Sequence, residues 1–92
     1  MLIERVRISP DAMLQEIGGE GVILDLVSAT YFGLDHVGVR LWQLLQVNPG
    51  LQAASDVLLA EFDVDPVTLA QDLRTLVDQL VAAGLATVES AQ

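Results

Sequence analysis

The spacing of apolar residues changes character once along this chain, between Leu34 and Asp35, and that change constrains the fold more than any other feature. Before it, residues 13–34 are rich in Ile, Val, Leu and aromatics, interrupted by Gly18-Gly19-Glu20-Gly21 and by Val27-Ser28-Ala29-Thr30. Apolar runs bounded by turn residues predict strand, turn, strand, turn, strand, a three-stranded antiparallel meander. After it, apolar residues return at every third or fourth position, as one face of a helix requires. Strands followed by helices predict an α+β chain in which a small sheet packs against three helices. A winged helix-turn-helix is the named fold that this order predicts.

Within the middle strand a period of two puts Val22, Leu24 and Leu26 on one face and Ile23 and Asp25 on the other, and the three aliphatics are expected inward. In the third strand Phe32 and Leu34 are expected inward and Tyr31 outward. Asp35 then opens the first helix as its N-cap, because a carboxylate there accepts a hydrogen bond from an unpaired first-turn amide. Val37, Leu41, Leu44 and Leu45 make its apolar stripe, with Trp42 at the border. Asn48-Pro49-Gly50 ends that helix. A second helix is expected over Leu51–Glu61, burying Ala54, Val57, Leu58 and Phe62.

Asp65-Pro66 is the sharpest local signal, an N-cap followed by proline at the first helical position, where the missing amide is no loss. The third helix runs from there to about residue 83 and stops at Gly84, with Leu85 placed for the apolar contact that accompanies a glycine C-cap. The 92 residues leave room for one domain, residues 1–92, with an ordered core at about 9–88 and loosely held ends at 1–8 and 89–92.

Chemistry is excluded more firmly than it is assigned. The chain has no cysteine and a single histidine, His36, beside the Asp35 cap, so neither a thiolate site nor a histidine-based metal site can be assembled. Ser9, Ser28, Ser55 and Ser90 lack the glycines of a nucleophile elbow. Asp63 with Asp65, and Asp72 with Asp78, read as caps and solvated charges, since the segment after Asp65 is a helix opening and not a calcium loop. Gly18, Gly19 and Gly21 are hairpin glycines with no lysine following for phosphate. These absences predict a protein that is not an enzyme and holds neither metal nor cofactor. With no signal-like start and no apolar run of membrane-spanning length, a cytoplasmic protein with no membrane partner is expected.

The formal net charge of −9, with only Arg5, Arg7, Arg40 and Arg74 as bases, excludes the usual nucleic-acid footprint. Two features suit recognition of a peptide. The edge formed by Thr30, Tyr31, Phe32, Gly33 and Leu34 carries no charge, proline or other protection against a further strand. On the third helix Leu69, Leu73, Leu76 and Leu80 lie in one narrow arc, extended on one side by Ala70, Val77 and Val81 and ended by Arg74. That flank is expected to line a groove beside the edge strand, where an extended peptide would pair through its backbone and drop alternate side chains. The surrounding acids favour basic residues at the rim of such a peptide.

The run Val22-Ile23-Leu24-Asp25-Leu26, then Tyr31-Phe32-Gly33-Leu34-Asp35, then Val37-Gly38 and Leu41-Trp42-Gln43-Leu44-Leu45, resembles the PqqD-like proteins, also called RiPP recognition elements. Phe62-Asp63-Val64-Asp65, Asp72-Leu73, Leu76-Val77 and Leu80 through Gly84-Leu85 continue the resemblance over about four-fifths of the chain. The Tyr-Phe-Gly-Leu element and the short length resemble most the leader-binding proteins of lasso-peptide biosynthesis. The resemblance implies a precursor's leader adding as a fourth strand to residues 30–34 against the third helix. It also implies three partners: the precursor peptide, a separate leader peptidase and a cyclase. The sequence departs from the family's habits at Asp35, often asparagine and also a cap, and at residues 27–30, where a glycine-containing turn is common.

Two other readings compete. A winged-helix transcription regulator shares the fold class, but the third helix sets Asp72 and Asp78 against a single Arg74. A structural dimerisation domain would fill the same edge and groove with a second copy.

Overall fold

Gly18 and Gly19, at φ of +62° and +85°, close a two-residue hairpin between β2 (Ala12–Ile17) and β3 (Glu20–Asp25). Positive φ at both positions matches the twist of the flanking strands, and only glycine adopts it freely. The computed structural model describes residues 4–90. After β3 come β4 (Tyr31–Leu34), α1 (His36–Val47), α2 (Leu51–Glu61) and α3 (Pro66–Ala82). The antiparallel order β2-β3-β4 and the three helices are the α+β arrangement expected from the change of period.

That change of period has a physical anchor. The Asp35 carboxylate accepts a hydrogen bond from the Gly38 amide at 2.8 Å, and Asp65 accepts from Thr68 at 3.0 Å with Pro66 behind it. At the far end of α3, the Gly84 amide donates to the Val81 carbonyl and the Leu85 amide to the Leu80 carbonyl, with Gly84 at φ +76°. This is the glycine-terminated end that Gly84-Leu85 predicts, and Leu85 is buried by it.

The face of β3 is opposite to the one expected. Ile23 is fully buried and Asp25 nearly so, whereas Val22 is exposed and Leu26, just past the strand, is 59% exposed. Alternation gives two sets of residues but not which set faces in, and the carboxylate was the misleading cue. Asp25 builds its own turn, accepting from the Val27 amide at 3.0 Å and the Ser28 hydroxyl at 2.9 Å. A carboxylate satisfied this way is buried at little cost. The Val27 amide first, and then Ser28, hold its pKa below the ordinary aspartate value. Gly21 marks the same face as the packed one, because a Cβ there would lie 2.8 Å from both Leu14 and Val39. In β4 the expected parity is found, with Leu34 buried, Phe32 half-buried and Tyr31 exposed.

Residues 4–8 and 89–90 are held more firmly than expected, while 1–3 and 91–92, also expected to be loose, lie outside the described residues. β1 (Glu4–Ile8) and β5 (Ala86–Ser90) pair antiparallel as a second, two-stranded sheet. Val6 is fully buried, and its amide donates to the Pro49 carbonyl at 2.7 Å in the α1–α2 connection. The Arg7 guanidinium pairs with Glu89 along the ribbon. Alternating charge hides the strand: Val6 and Ile8 are the apolar half of a period-two pattern whose other half is Arg5 and Arg7.

Trp42 lies inside the core and not at its border, together with Leu41, Leu45, Leu51, Leu58 and Leu73. Val37, Leu44, Val57 and Phe62, expected on the buried stripes, are half-buried. Among the described residues no helix is long and apolar enough to cross a membrane.

Candidate functional site

β4 is an edge strand. It pairs with β3 on one side only, with Leu34 opposite Gly21, Gly33 opposite Val22, Phe32 opposite Ile23 and Tyr31 opposite Leu24. Among the described residues its other side has no strand partner, and it runs beside a cavity of about 470 Å³. Phe32, Leu34 and Val37 form one wall of that cavity; Val64, Leu69, Leu73 and Leu76 form the opposite one. The charged residues in its lining are Asp35 and Asp72.

The structure brings together some of the expected site residues and separates others. Phe32, Gly33, Leu34, Leu69, Leu73 and Leu76 share the cavity. Thr30 precedes the strand and serves the Asp25 turn, its carbonyl accepting from the Asp25 amide at 2.8 Å. Tyr31 projects on the opposite face of the sheet from Phe32 and is exposed.

On α3 the expected flank of Ala70, Val77 and Val81 lies on the other side of the leucine arc from this cavity. Val77 is wholly inside the core and is not among the residues that line the cavity. Ala70, Arg74 and Val81 do not line the cavity either, and Arg74 instead pairs with Glu4 of β1. The terminal ribbon packs on that side of α3 through β5 and engages Arg74 through Glu4 of β1, while Val81 stays exposed. The open side is carried by Asp72, Leu76 and Gln79, spaced four and then three residues apart, on the other shoulder of the arc. Asp72, Gln79, Val37 and Val64 were missed; the Asp72-Leu76-Gln79 spacing was the available signal.

The remaining polar groups are engaged elsewhere. Arg40 makes a two-pronged contact with Glu61 at 2.7 and 2.8 Å, which holds the Glu61 carboxyl below its ordinary value. His36 is exposed with its ring 5.7 Å from that of Phe62. Among the described residues no group of three or more His, Cys, Asp or Glu is placed to hold a metal ion.

A bare edge strand running beside an apolar cavity defines the class: a small α+β recognition module. The profile described as coenzyme PQQ synthesis protein D (PqqD) matches residues 20–86. The chain belongs to the PqqD family and is a PqqD-like RiPP recognition element. Two solved structures share its fold. TbiB1, in complex with the TbiA(beta) leader peptide, is 36% identical with a TM-score of 0.80, covering 94% of this chain and 99% of its own. A lasso peptide synthetase B1, complexed with the leader peptide, has a TM-score of 0.76 over 90% and 98% of the two chains; at 23% identity it is a likeness of fold alone. No curated protein sequence matches the chain.

Proposed function

We propose that this chain binds the leader segment of a ribosomally made precursor, a lasso-peptide precursor, by strand addition to β4. The observation that carries the reading is the unpaired β4 edge lying along the cavity of about 470 Å³ walled by Phe32, Leu34, Leu69 and Leu76. Backbone pairing supplies affinity without regard to sequence, and the cavity selects alternate side chains. The peptide-bound state of TbiB1, 36% identical over nearly all of this chain, supports it. The acids around the site favour a leader with basic residues at its rim. The chain then delivers the leader, in the cytoplasm, to a separate leader peptidase and a cyclase, acting as an adaptor and not as a catalyst.

Two labelled peptides test this: the TbiA(beta) leader, and the leader of the precursor encoded beside this chain's gene. Binding is followed by fluorescence anisotropy and by backbone amide shifts. The expected result is saturable binding of the neighbouring leader with the largest shifts at residues 31–34 and 72–79. Absence of binding by both peptides, or shifts confined to other elements, overturns the reading. Light scattering then separates leader capture from pairing of two β4 edges, which would give a dimer that persists with leader bound.

A further inference from the structure

Gly33 has no explanation within the chain itself. A Cβ built there meets nothing within 4 Å, and its φ lies outside the left-handed region that favours glycine. Neighbouring glycines differ: at Gly21 a Cβ would strike Leu14 and Val39, and at Gly38 it would lie 3.0 Å from Leu34. Glycine inside a strand weakens it and marks places where a ligand or another backbone comes close. In the middle of a four-residue edge strand, that points outward from β4.

The direction of the gap is set by the register. Gln15, Val22 and Gly33 form one row across β2, β3 and β4, on the face of the sheet turned away from the helices. Tyr31 is on the same face of β4, two residues along. Around this row lies an open hollow of about 530 Å³, with Gln15, Ile17, Glu20, Val22, Gly33 and Asp35 in its lining. It meets the helix-side cavity at the β4 edge, because Gly33, Leu34 and Asp35 line both.

A strand laid against β4 must alternate its side chains. Those that enter the cavity against α3 leave the intervening ones on the outer face, and the one beside Gly33 finds the space that a Cβ would have filled. Resting on the strand-addition reading above, we propose that the outer hollow is a second specificity subsite, and that it takes a long basic side chain, lysine or arginine, from the peptide residue beside Gly33.

The lining fits that occupant and disfavours others. Val22 and Ile17 are exposed aliphatics on which a methylene stem can lie while its charged end stays in water. Glu20 and Asp35 supply carboxylates in the same lining, with no lysine or arginine among the lining residues. An acidic side chain would meet two like charges, and a purely aliphatic one would leave the Glu20 carboxylate without a partner, Asp35 being already bonded to the Gly38 amide.

Selection of short random peptides on the full chain tests the proposal. The expected binders carry apolar residues at alternate positions and a lysine or arginine at one fixed position between them. Glu20→Lys, at an exposed hairpin residue, then weakens the cation-bearing peptide about fivefold and leaves its alanine-substituted version unchanged. Gly33→Val melts no lower than the parent, since its side chain enters open space, yet weakens the cation-bearing peptide more than the alanine version. Apolar alternation without a fixed cation, or equal effects of Glu20→Lys on both peptides, removes the outer subsite and leaves strand addition standing. Binders that shift no amide of residues 31–34 overturn both.

Discussion

The guanidinium of Arg74 in α3 bonds the carboxylate of Glu4 in β1, a residue 70 positions away in sequence. The contact ties the third helix to the terminal ribbon and holds Arg74 away from the cavity beside β4. Both side chains keep partial access to water, so the pair contributes modestly. Arg74→Met is expected to lower stability by about 1 kcal/mol or less, read from urea melts, and to leave leader affinity unchanged. A large loss of affinity with normal stability would return Arg74 to the site.

Leu76 and Val77 are adjacent in sequence and opposite in consequence. Leu76 is half-buried in the cavity wall, and Val77 is wholly inside the core. Leu76→Asp is expected to weaken leader binding about tenfold or more, the worth of one well-buried aliphatic side chain, while its melting curve stays close to the parent's. Val77→Asp places an unpaired carboxylate in the core and is expected to abolish cooperative melting. The two variants together locate the groove on the Asp72-Leu76-Gln79 side.

Ala29 has φ +59° in the turn between β3 and β4, a conformation in which its Cβ crowds the following carbonyl. Ala29→Gly removes that strain at some expense in chain entropy, for a net gain of roughly 0.5–1 kcal/mol. A rise in Tm of roughly 3–6 °C follows for a chain of this size. Scanning calorimetry reads it directly, and an unchanged or lower Tm would show the turn to be relaxed with alanine.

Acid should destabilise the fold through three carboxylates. Asp25 is held below its ordinary pKa by the Val27 amide and Ser28, Glu61 by Arg40, and Glu4 by a backbone amide and then by Arg74. A carboxylate with a lower pKa folded than unfolded contributes its full stabilisation above the unfolded value and loses it as pH falls through the folded one. Urea midpoints are therefore expected to be flat near neutrality and to drop below about pH 4. Asp25→Asn should be less stable at neutral pH and show a shallower acid slope. An identical slope in the variant would remove Asp25 as a source.

Local chemistry made much of this molecule legible from residues alone. Asp35, Asp65-Pro66 and Gly84-Leu85 act within one helical turn, so their meaning does not depend on what packs nearby, and the helices begin and end where they predict. Faces are another matter. The alternation in β3 and the arc on α3 each define two sides, and only tertiary neighbours choose between them. For β3 the choice turned on Asp25, whose hydrogen bonds come from its own turn and free it to be buried. For α3 it turned on a ribbon made from the two ends, whose charged residues disguise strands. Four of the seven α3 residues expected to bind peptide, Ala70, Arg74, Val77 and Val81, therefore lie on the shoulder away from the cavity.

That ribbon has a topological consequence. Glu4 and Ser90 are cross-strand partners, so the described chain starts and finishes at one point of its surface, in a different sheet from β4. The domain is nearly a closed ring. Its ends could be joined by a short linker and the chain reopened at Gly18-Gly19, or the whole unit spliced into an exposed loop of a larger enzyme, with the β4 edge still facing outward.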